Sequence, residues 1–299
     1  MQCFRGFLTR IILLYMLALT SLSSMAGDSS QAKDSDSFND SDNYGFSGVS
    51  ASAVELYRQG WAEILERGRW REAERLYREA LREDPGFLIA KSVLARMTAD
   101  AQERDSLSSD IQRGKDQVDA SGRLILDPYV MTLTLISARE KGESLPADFR
   151  SDLADLAISN YRNFLERYPG EWAVRVEYIE WIHAKHGPAA ALQAIREMHN
   201  QEPSFTSRLS YFPAYFHAEL GDYESATTKA QEFVSQLGPG DWPQKHYIEA
   251  FIAYEQGDYP RAAAAIAEAL RLDSRHIIAQ RLDAKINDAL SRDHEAENQ

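Results

Sequence analysis

Residues 221–226 read Gly-Asp-Tyr-Glu-Ser-Ala, and residues 257–262 read Gly-Asp-Tyr-Pro-Arg-Ala. A related turn stands at 68–73, where Gly-Arg-Trp-Arg-Glu also leads into an alanine. The alanines at this place in the pattern form a column along the chain: Ala73, Ala157, Ala191, Ala226 and Ala262. The last four are separated by 34, 35 and 36 residues. Because a fixed spacing of this size is typical of stacked supersecondary units, the pattern predicts an array of repeats.

The chain is helical in pattern from residue 53 to 291 and nearly free of β-branched runs, so we expect an all-α fold. Five or six repeat units are predicted, from helix pairs over 54–83, 86–118, 128–167, 171–201, 207–237 and 243–272, of which the second pair is the uncertain repeat. Glycines mark the turn inside three of the pairs: Gly68, Gly221 and Gly257. In the third pair, Asp127-Pro128 predicts an N-cap followed by the first helical residue. An amphipathic helix over 274–290 is expected to cap the array.

These pairs resemble tetratricopeptide repeats (TPRs), helix-turn-helix units of 34 residues. When each column alanine is counted as position 20, position 24 carries Tyr77, Tyr161, Ile195, Ala230 and Ile266. Position 32 carries the breakers Pro85, Pro169, Pro203, Gly238 and Ser274. The match is good over 51–85 and 171–274, moderate over 127–169 and poor over 86–120. The resemblance implies a right-handed superhelical solenoid with its first helices lining a concave surface.

The N-terminus is typical of a secretory signal peptide over residues 1–26. Arg5 and Arg10 precede the apolar run 11–22, and Ser24-Met25-Ala26 offers a cleavage site before Gly27. The run is too short for a membrane span of about 20 apolar residues, so we expect an exported protein without stable membrane insertion after cleavage. The only cysteine, Cys3, lies within this segment. The mature chain is therefore expected to lack disulfides and cysteine ligands.

The remaining segments divide into a tether, the array and a tail. Residues 27–50 are rich in Ser, Asp, Asn and Gly, which predicts a disordered acidic tether. The solenoid domain is expected over 51–291, followed by a disordered tail over 292–299. The net charge of −13 becomes −15 without the signal segment, which argues against nucleic acid as a partner.

No set of residues predicts an enzyme. The chain contains no G-x-S-x-G elbow, P-loop or dinucleotide-binding glycine motif. Glu180 and His183 share a helix face, as in one half of a di-iron site, but no second E-x-x-H motif exists. We therefore predict neither a bound metal nor a cofactor, and a solvated polar face for these two residues.

Aromatic residues give the stronger functional pattern. The resemblance to TPRs implies that positions 5, 9 and 12 of the first helices point into the concave groove. The residues at those positions in units four to six are Glu180, His183, Tyr211, Tyr215, Tyr247, Phe251 and Tyr254. They either line a binding groove or pack as core between tightly curved units.

The sequence thus predicts an exported, non-enzymatic adaptor of the cell envelope, periplasmic or secreted, that binds a partner peptide or helix in its concave groove. A glycan-binding component of a polysaccharide export or assembly apparatus is the alternative, because stacked aromatic rings also hold sugar faces. That alternative would gain if Tyr211, Tyr215 and Tyr247 were coplanar and exposed. The partner, the oligomeric state and the bacterial or eukaryotic route stay open.

Overall fold

The computed structural model describes residues 43–202, 209 and 211–297, with side chains described as far as 292. Within these ranges the chain is all-α and contains no β-strand, which confirms the predicted fold class. The first six helices are α1 (Ala51–Ala62), α2 (Trp70–Glu83), α3 (Leu88–Met97), α4 (Ala101–Gly114), α5 (Ala120–Glu140) and α6 (Phe149–Leu165). The others are α7 (Trp172–His186), α8 (Pro188–Gln201), α9 (Tyr211–Glu219), α10 (Tyr223–Gln236), α11 (Pro243–Glu255), α12 (Tyr259–Leu272) and α13 (Ile277–Glu297).

Consecutive helices pack in pairs, α1 with α2 through α11 with α12, and α13 packs on α12. Short connections make the partners antiparallel, as expected of a helical solenoid. Every alanine of the predicted column is 0% exposed. An alanine without a long side chain lets two helix axes approach to about 8–10 Å, so the column marks the crossings inside the pairs.

The glycine turns have the backbone that the pattern predicts. Gly221 and Gly257 both have φ of +78°, and Gly68 has φ of +72°. This left-handed conformation costs other residues energy because of their Cβ atom. The turn at Gly68 follows a single π-helical turn, Glu63–Arg67, which continues α1.

The second pair forms without the alanine column and without a glycine turn. Asp100 caps α4 by accepting hydrogen bonds from the backbone N–H groups of Gln102 and Glu103. The buried guanidinium of Arg104 donates to the carbonyls of Ala95 and Thr98. Side-chain hydrogen bonds thus hold a turn that glycine holds in other pairs.

The predicted start of the third pair at Asp127-Pro128 is wrong. Helix α5 begins eight residues earlier, with Asp119 as its N-cap, and Pro128 lies inside the helix. A proline in a helix interior costs about 3 kcal/mol. Ile125 and Leu126 are completely buried in the preceding turn, and burying each of two such side chains contributes about 1.5–3 kcal/mol. The burial of these two side chains therefore outweighs the cost of the proline, and the helix continues through Pro128.

The end of the predicted tether is packed rather than disordered. We call residues 43–49 the strap. Tyr44 and Phe46 of the strap are 5% and 2% exposed. The Phe46 ring lies 5.2 Å from that of Phe87 and 5.4 Å from that of Tyr57, between centroids. The polar composition of residues 27–50 predicted disorder, although two aromatic residues of this segment pack into the core. Residues 27–42 of the predicted tether, and the predicted signal peptide, lie outside the described residues.

The array closes on itself, because its first pair contacts its last. The backbone N–H of Arg71 in α2 donates to Asp273 across 3.0 Å, and Arg275 pairs with Glu74 at 2.7 Å. The π-helical turn before Gly68 also contacts α11. These contacts join residues about 200 positions apart.

The final helix covers α12 with a row of apolar residues and continues to Glu297. Most of the predicted tail at 292–299 is accordingly helical, while residues 298 and 299 lie outside the described part. In the part of the chain that the structure describes, no helix combines the length and apolarity that crossing a membrane requires.

Candidate binding groove on the inner helices

The predicted groove residues lie on α7, α9 and α11, the first helices of the last three pairs. Their rings form a continuous row across these helices. His183 meets Tyr215 edge to face at 5.8 Å, and Tyr215 stacks on Phe251 with centroids 3.9 Å apart and 18° between planes. Beyond Phe251 the row continues to Tyr247, whose ring lies 5.4 Å from that of His276. We call this set the aromatic row.

Burial divides the predicted residues into two groups. Tyr211, Tyr247 and Phe251 are at most 6% exposed and belong to the core. Tyr215, Tyr254, Glu180 and His183 are half-buried and keep part of their surface accessible. The residues of the first group therefore pack as core, which is one of the two alternatives that the sequence left open. Only the second group presents a surface that a ligand can touch.

His183 has a specific partner that the sequence did not indicate. Its Nε2 lies 2.5 Å from a carboxylate oxygen of Glu219, at the end of α9. The His183 ring also packs 4.7 Å from Phe216. The imidazole is thus fixed between two helices. Glu180 and His183 lie on one face of α7 as predicted, but His183 is engaged by Glu219.

Glu180 differs from its neighbours because it has no hydrogen bond or ion pair with any described residue. The Glu177 carboxylate, one turn earlier, is paired with Arg96 at 2.9 Å. Burial raises the pKa of Glu180 well above its usual range, the nearby charge of Glu177 raises it further, and Arg96 opposes both effects. The groove therefore contains an acidic side chain that a bound cation would stabilise.

The groove does not extend into the first half of the array. Arg96 and Glu177 have side chains only 2% and 4% exposed, and they connect α3 to α7 across the interior. The Arg96 guanidinium also lies 3.7 Å from the centroid of the Tyr129 ring. Buried, paired side chains fill the space here, so no ligand surface remains between these helices.

The strap also packs in this first half of the array, against the first, third and fourth pairs. The Tyr44 hydroxyl donates to Asp119 at 2.8 Å, and the Tyr44 N–H donates to Glu171 at 3.2 Å. Arg58 of α1 binds both Glu171 and the Tyr44 carbonyl. The strap is therefore held through its backbone as well as its rings, and it joins the first pair to the third and fourth.

Sequence reasoning missed Arg96, Glu177, Glu219 and the strap. A signal existed for Arg96, which interrupts the apolar helix 88–97, and for the two aromatics of a polar segment. No local signal identifies Glu177 or Glu219, because each partner lies on another helix, 81 and 36 residues away.

One group of side chains approaches a metal-ligand set. Ligand atoms of Asp241, His246 and Glu268 lie within 4.8 Å of one another. His246 Nε2 is 2.6 Å from Asp241, and Arg271 binds Glu268 at 2.6 Å. The guanidinium of Arg271 already compensates the charge of the Glu268 carboxylate, and His246 pairs with Asp241, so this partly exposed cluster is internally paired.

A separate cavity of about 400 Å³ lies between α4 and the end of α5. Its floor is apolar, with Ile111 and Leu133, and its rim carries Ser108, Thr134 and Lys141. None of the sequence-predicted site residues lines it.

No protein-family model matches the chain, and none of the curated proteins matches it significantly in sequence.

Proposed function

We propose that the protein is an exported, non-enzymatic adaptor of the cell envelope, a TPR-like array that binds a partner peptide or helix. The proposed binding surface consists of the half-buried residues of the three inner helices: Glu180 and His183 of α7, Tyr215 of α9 and Tyr254 of α11. The observation that carries this proposal is the combination of a stacked Tyr215–Phe251 pair with the unpaired carboxyl of Glu180. Tyrosines with one exposed edge supply apolar contact and a hydrogen bond together, as binding hot spots commonly do.

The chemistry of the surface defines the partner that fits. An apolar or aromatic side chain would rest against Tyr215 and Tyr254, while a lysine or arginine would pair with Glu180. The net charge of −13 would steer a basic segment towards the protein. A complex of micromolar affinity corresponds to about −8 kcal/mol, of which two or three anchors at about 2 kcal/mol each supply most.

The glycan alternative has less support. It depends on an exposed platform of Tyr211, Tyr215 and Tyr247, but Tyr211 and Tyr247 are buried. A single half-exposed tyrosine offers one sugar-sized face, so we favour a peptide or helix.

The proposal is tested by crosslinking the purified protein in a cell-envelope extract. A Tyr215→Ala, Tyr254→Ala, Glu180→Gln variant is compared with a control, Tyr178→Ala, whose tyrosine contacts Arg162 instead of the aromatic row. All proteins must first show equal helicity. We expect one protein to be captured by the wild type and the control but not by the triple variant. Equal capture by all three would exclude this surface.

A further inference from the structure

The contact between the first and last pairs, which we call the seam, differs from the other helix interfaces. It joins residues 67–74 to the start of α11 and to the turn 273–276. In five of the six pairs the interface inside the pair contains a completely buried column alanine. The seam instead contains charged and polar groups. They include Asp273, Arg275 and the Arg67 guanidinium, which lies 5.3 Å from the centroid of the Trp242 ring.

Several polar atoms buried at the seam have no hydrogen-bond partner in the described structure. They are both amide atoms of Gln244, Nε1 of Trp70, Nε1 of Trp242 and Nε2 of His276. An unsatisfied buried polar group weakens an interface, because it has lost its bonds to water without replacement. The seam is therefore less stable than its buried area alone implies.

His276 lies at the centre of the seam and is 0% exposed. Its ring packs between Trp70 at 5.9 Å and Tyr247 at 5.4 Å. Its Nδ1 accepts the backbone N–H of Ala279 at 3.2 Å and so caps α13. That bond assigns the single proton of the neutral ring to Nε2.

A second proton on His276 would be unfavourable in the closed seam. It would occupy Nδ1, displace the N–H of Ala279 and leave an imidazolium without a carboxylate partner. Burial accordingly lowers the pKa of His276 to about 3. The other histidines with described side chains are at least partly exposed.

The charged groups around His276 do not compensate such a proton. Arg67 and Arg71 from the first pair and Arg281 from α13 are cations, Glu63 is already paired with Arg67, and Glu74 is already paired with Arg275. Asp273 accepts N–H groups of Arg71 and Arg275. From α11, the facing groups are the uncharged Gln244 and Tyr247. Burial raises the pKa of Asp273, so this carboxyl acts in the opposite sense, favouring the closed seam as it takes up a proton.

We propose that the seam is an acid-released latch, in which protonation of His276 separates the first pair from the sixth while the interfaces between consecutive pairs stay closed. Opening adds Trp70 and Tyr247 to the accessible aromatic row. With a pKa of about 3 when closed and ~6.5 when exposed, His276 alone raises the ratio of open to closed molecules about 30-fold between pH 7.5 and pH 5, and protonation of Asp273 reduces this factor.

The test measures distances between spin labels across the seam and across an ordinary interface. Cys3 is replaced by serine, so that engineered cysteines are the only thiols. The seam pair is Arg75→Cys with Ala284→Cys, on exposed positions of α2 and α13. The control pair is Thr228→Cys with Ala264→Cys, on exposed positions of α10 and α12. Each pair is measured at pH 7.5 and at pH 5.

We expect a second, longer distance for the seam pair at pH 5 and an unchanged distance for the control pair. His276→Asn keeps a side-chain acceptor for the Ala279 N–H but does not titrate, so it should stay closed at pH 5. An unchanged seam distance in the wild type, or equal broadening of both pairs, would overturn the latch. Opening of His276→Asn at the same pH would overturn the role of His276.

A second variant tests the latch without acid. A Cβ added to Gly68 would lie 2.6 Å from the backbone nitrogen of Gln244 and 2.8 Å from His276 Nε2. At Gly221, which has a similar φ, a Cβ would meet open space. Gly68→Ala should therefore open the seam pair at pH 7.5, while Gly221→Ala should leave it closed. A closed seam in folded Gly68→Ala would contradict the proposed latch.

Discussion

The two halves of the array use the same helix pairs but fill their interiors differently. In the first half, the Arg96–Glu177 ion pair and the strap occupy the space inside the inner helices. In the second half, the stacked Tyr215 and Phe251 leave an accessible edge beside Glu180. Stacked helix pairs therefore do not create a groove by themselves. The side chains that fill its interior decide where a ligand surface remains.

The regularity of the sequence follows the same division. The column alanines recur at nearly constant spacing from Ala157 to Ala262, and the glycine turns at Gly221 and Gly257 lie in the half that contains the candidate groove. The first half contains the unusual second pair, the embedded Pro128 and the strap. Where the repeat pattern is weak, long-range polar contacts hold the helices instead.

The largest loss of stability is expected for Arg96→Ala. This change leaves Glu177 buried and unpaired, and removing one partner of a buried ion pair costs about 3–5 kcal/mol. Urea unfolding should show this loss of stability. The double variant Arg96→Met with Glu177→Leu should recover most of it, because no buried charge remains. Equal stability of the single and double variants would contradict the ion-pair argument.

The strap is tested by Phe46→Ala. Loss of a buried phenylalanine side chain typically costs about 3–5 kcal/mol, and the free energy of unfolding should fall by about 3 kcal/mol. Asn43→Ala, at the less buried start of the strap, serves as the control. If 43–49 were a disordered tether, both variants would unfold at the wild-type urea concentration.

The regular half is probed by Ala226→Leu. A larger side chain at a completely buried helix crossing overpacks the core and should cost about 1–3 kcal/mol. Ala284→Leu, on an exposed position of α13, should have little effect on the melting temperature. A melting temperature for Ala226→Leu that equals that of the control would count against the crossing at Ala226.

The smallest effect is expected for Tyr215→Ala. This residue is half-buried, and aromatic stacking contributes about 0.5–1.5 kcal/mol beyond buried area, so we expect a loss of about 1–2 kcal/mol. Phe251→Ala, on the buried side of the same stacked pair, should cost about 3 kcal/mol. Denaturant unfolding separates the two. A loss for Tyr215→Ala as large as that for Phe251→Ala would make Tyr215 a core residue and weaken the proposed surface.

The sequence predicted which residues of the proposed site lie on the inner helices, but it did not predict how deeply each side chain is buried. The repeat spacing placed Tyr215, Phe251, Tyr247 and His183 on neighbouring inner helices, and the structure connects their rings in one row. The pattern could not separate the buried Tyr247 from the half-buried Tyr215, since both occupy positions that the repeat pattern assigns to the groove. Their exposure depends on how closely the next helix approaches.

The sequence by itself determined the all-α class, the helix pairs and the alanine crossings. These follow from helical periodicity and from small residues at fixed spacing, which act over one or two turns. Only the tertiary structure decided the closure of the array, the burial of Tyr44 and Phe46, and the pairing of Arg96 with Glu177. Such contacts join residues far apart in the sequence: Phe46 and Phe87 are 41 positions apart (87 − 46), Arg96 and Glu177 are 81 apart, and the residues at the closure are about 200 apart. They depend on the accumulated rotation of every intervening helix pair, which no local pattern records.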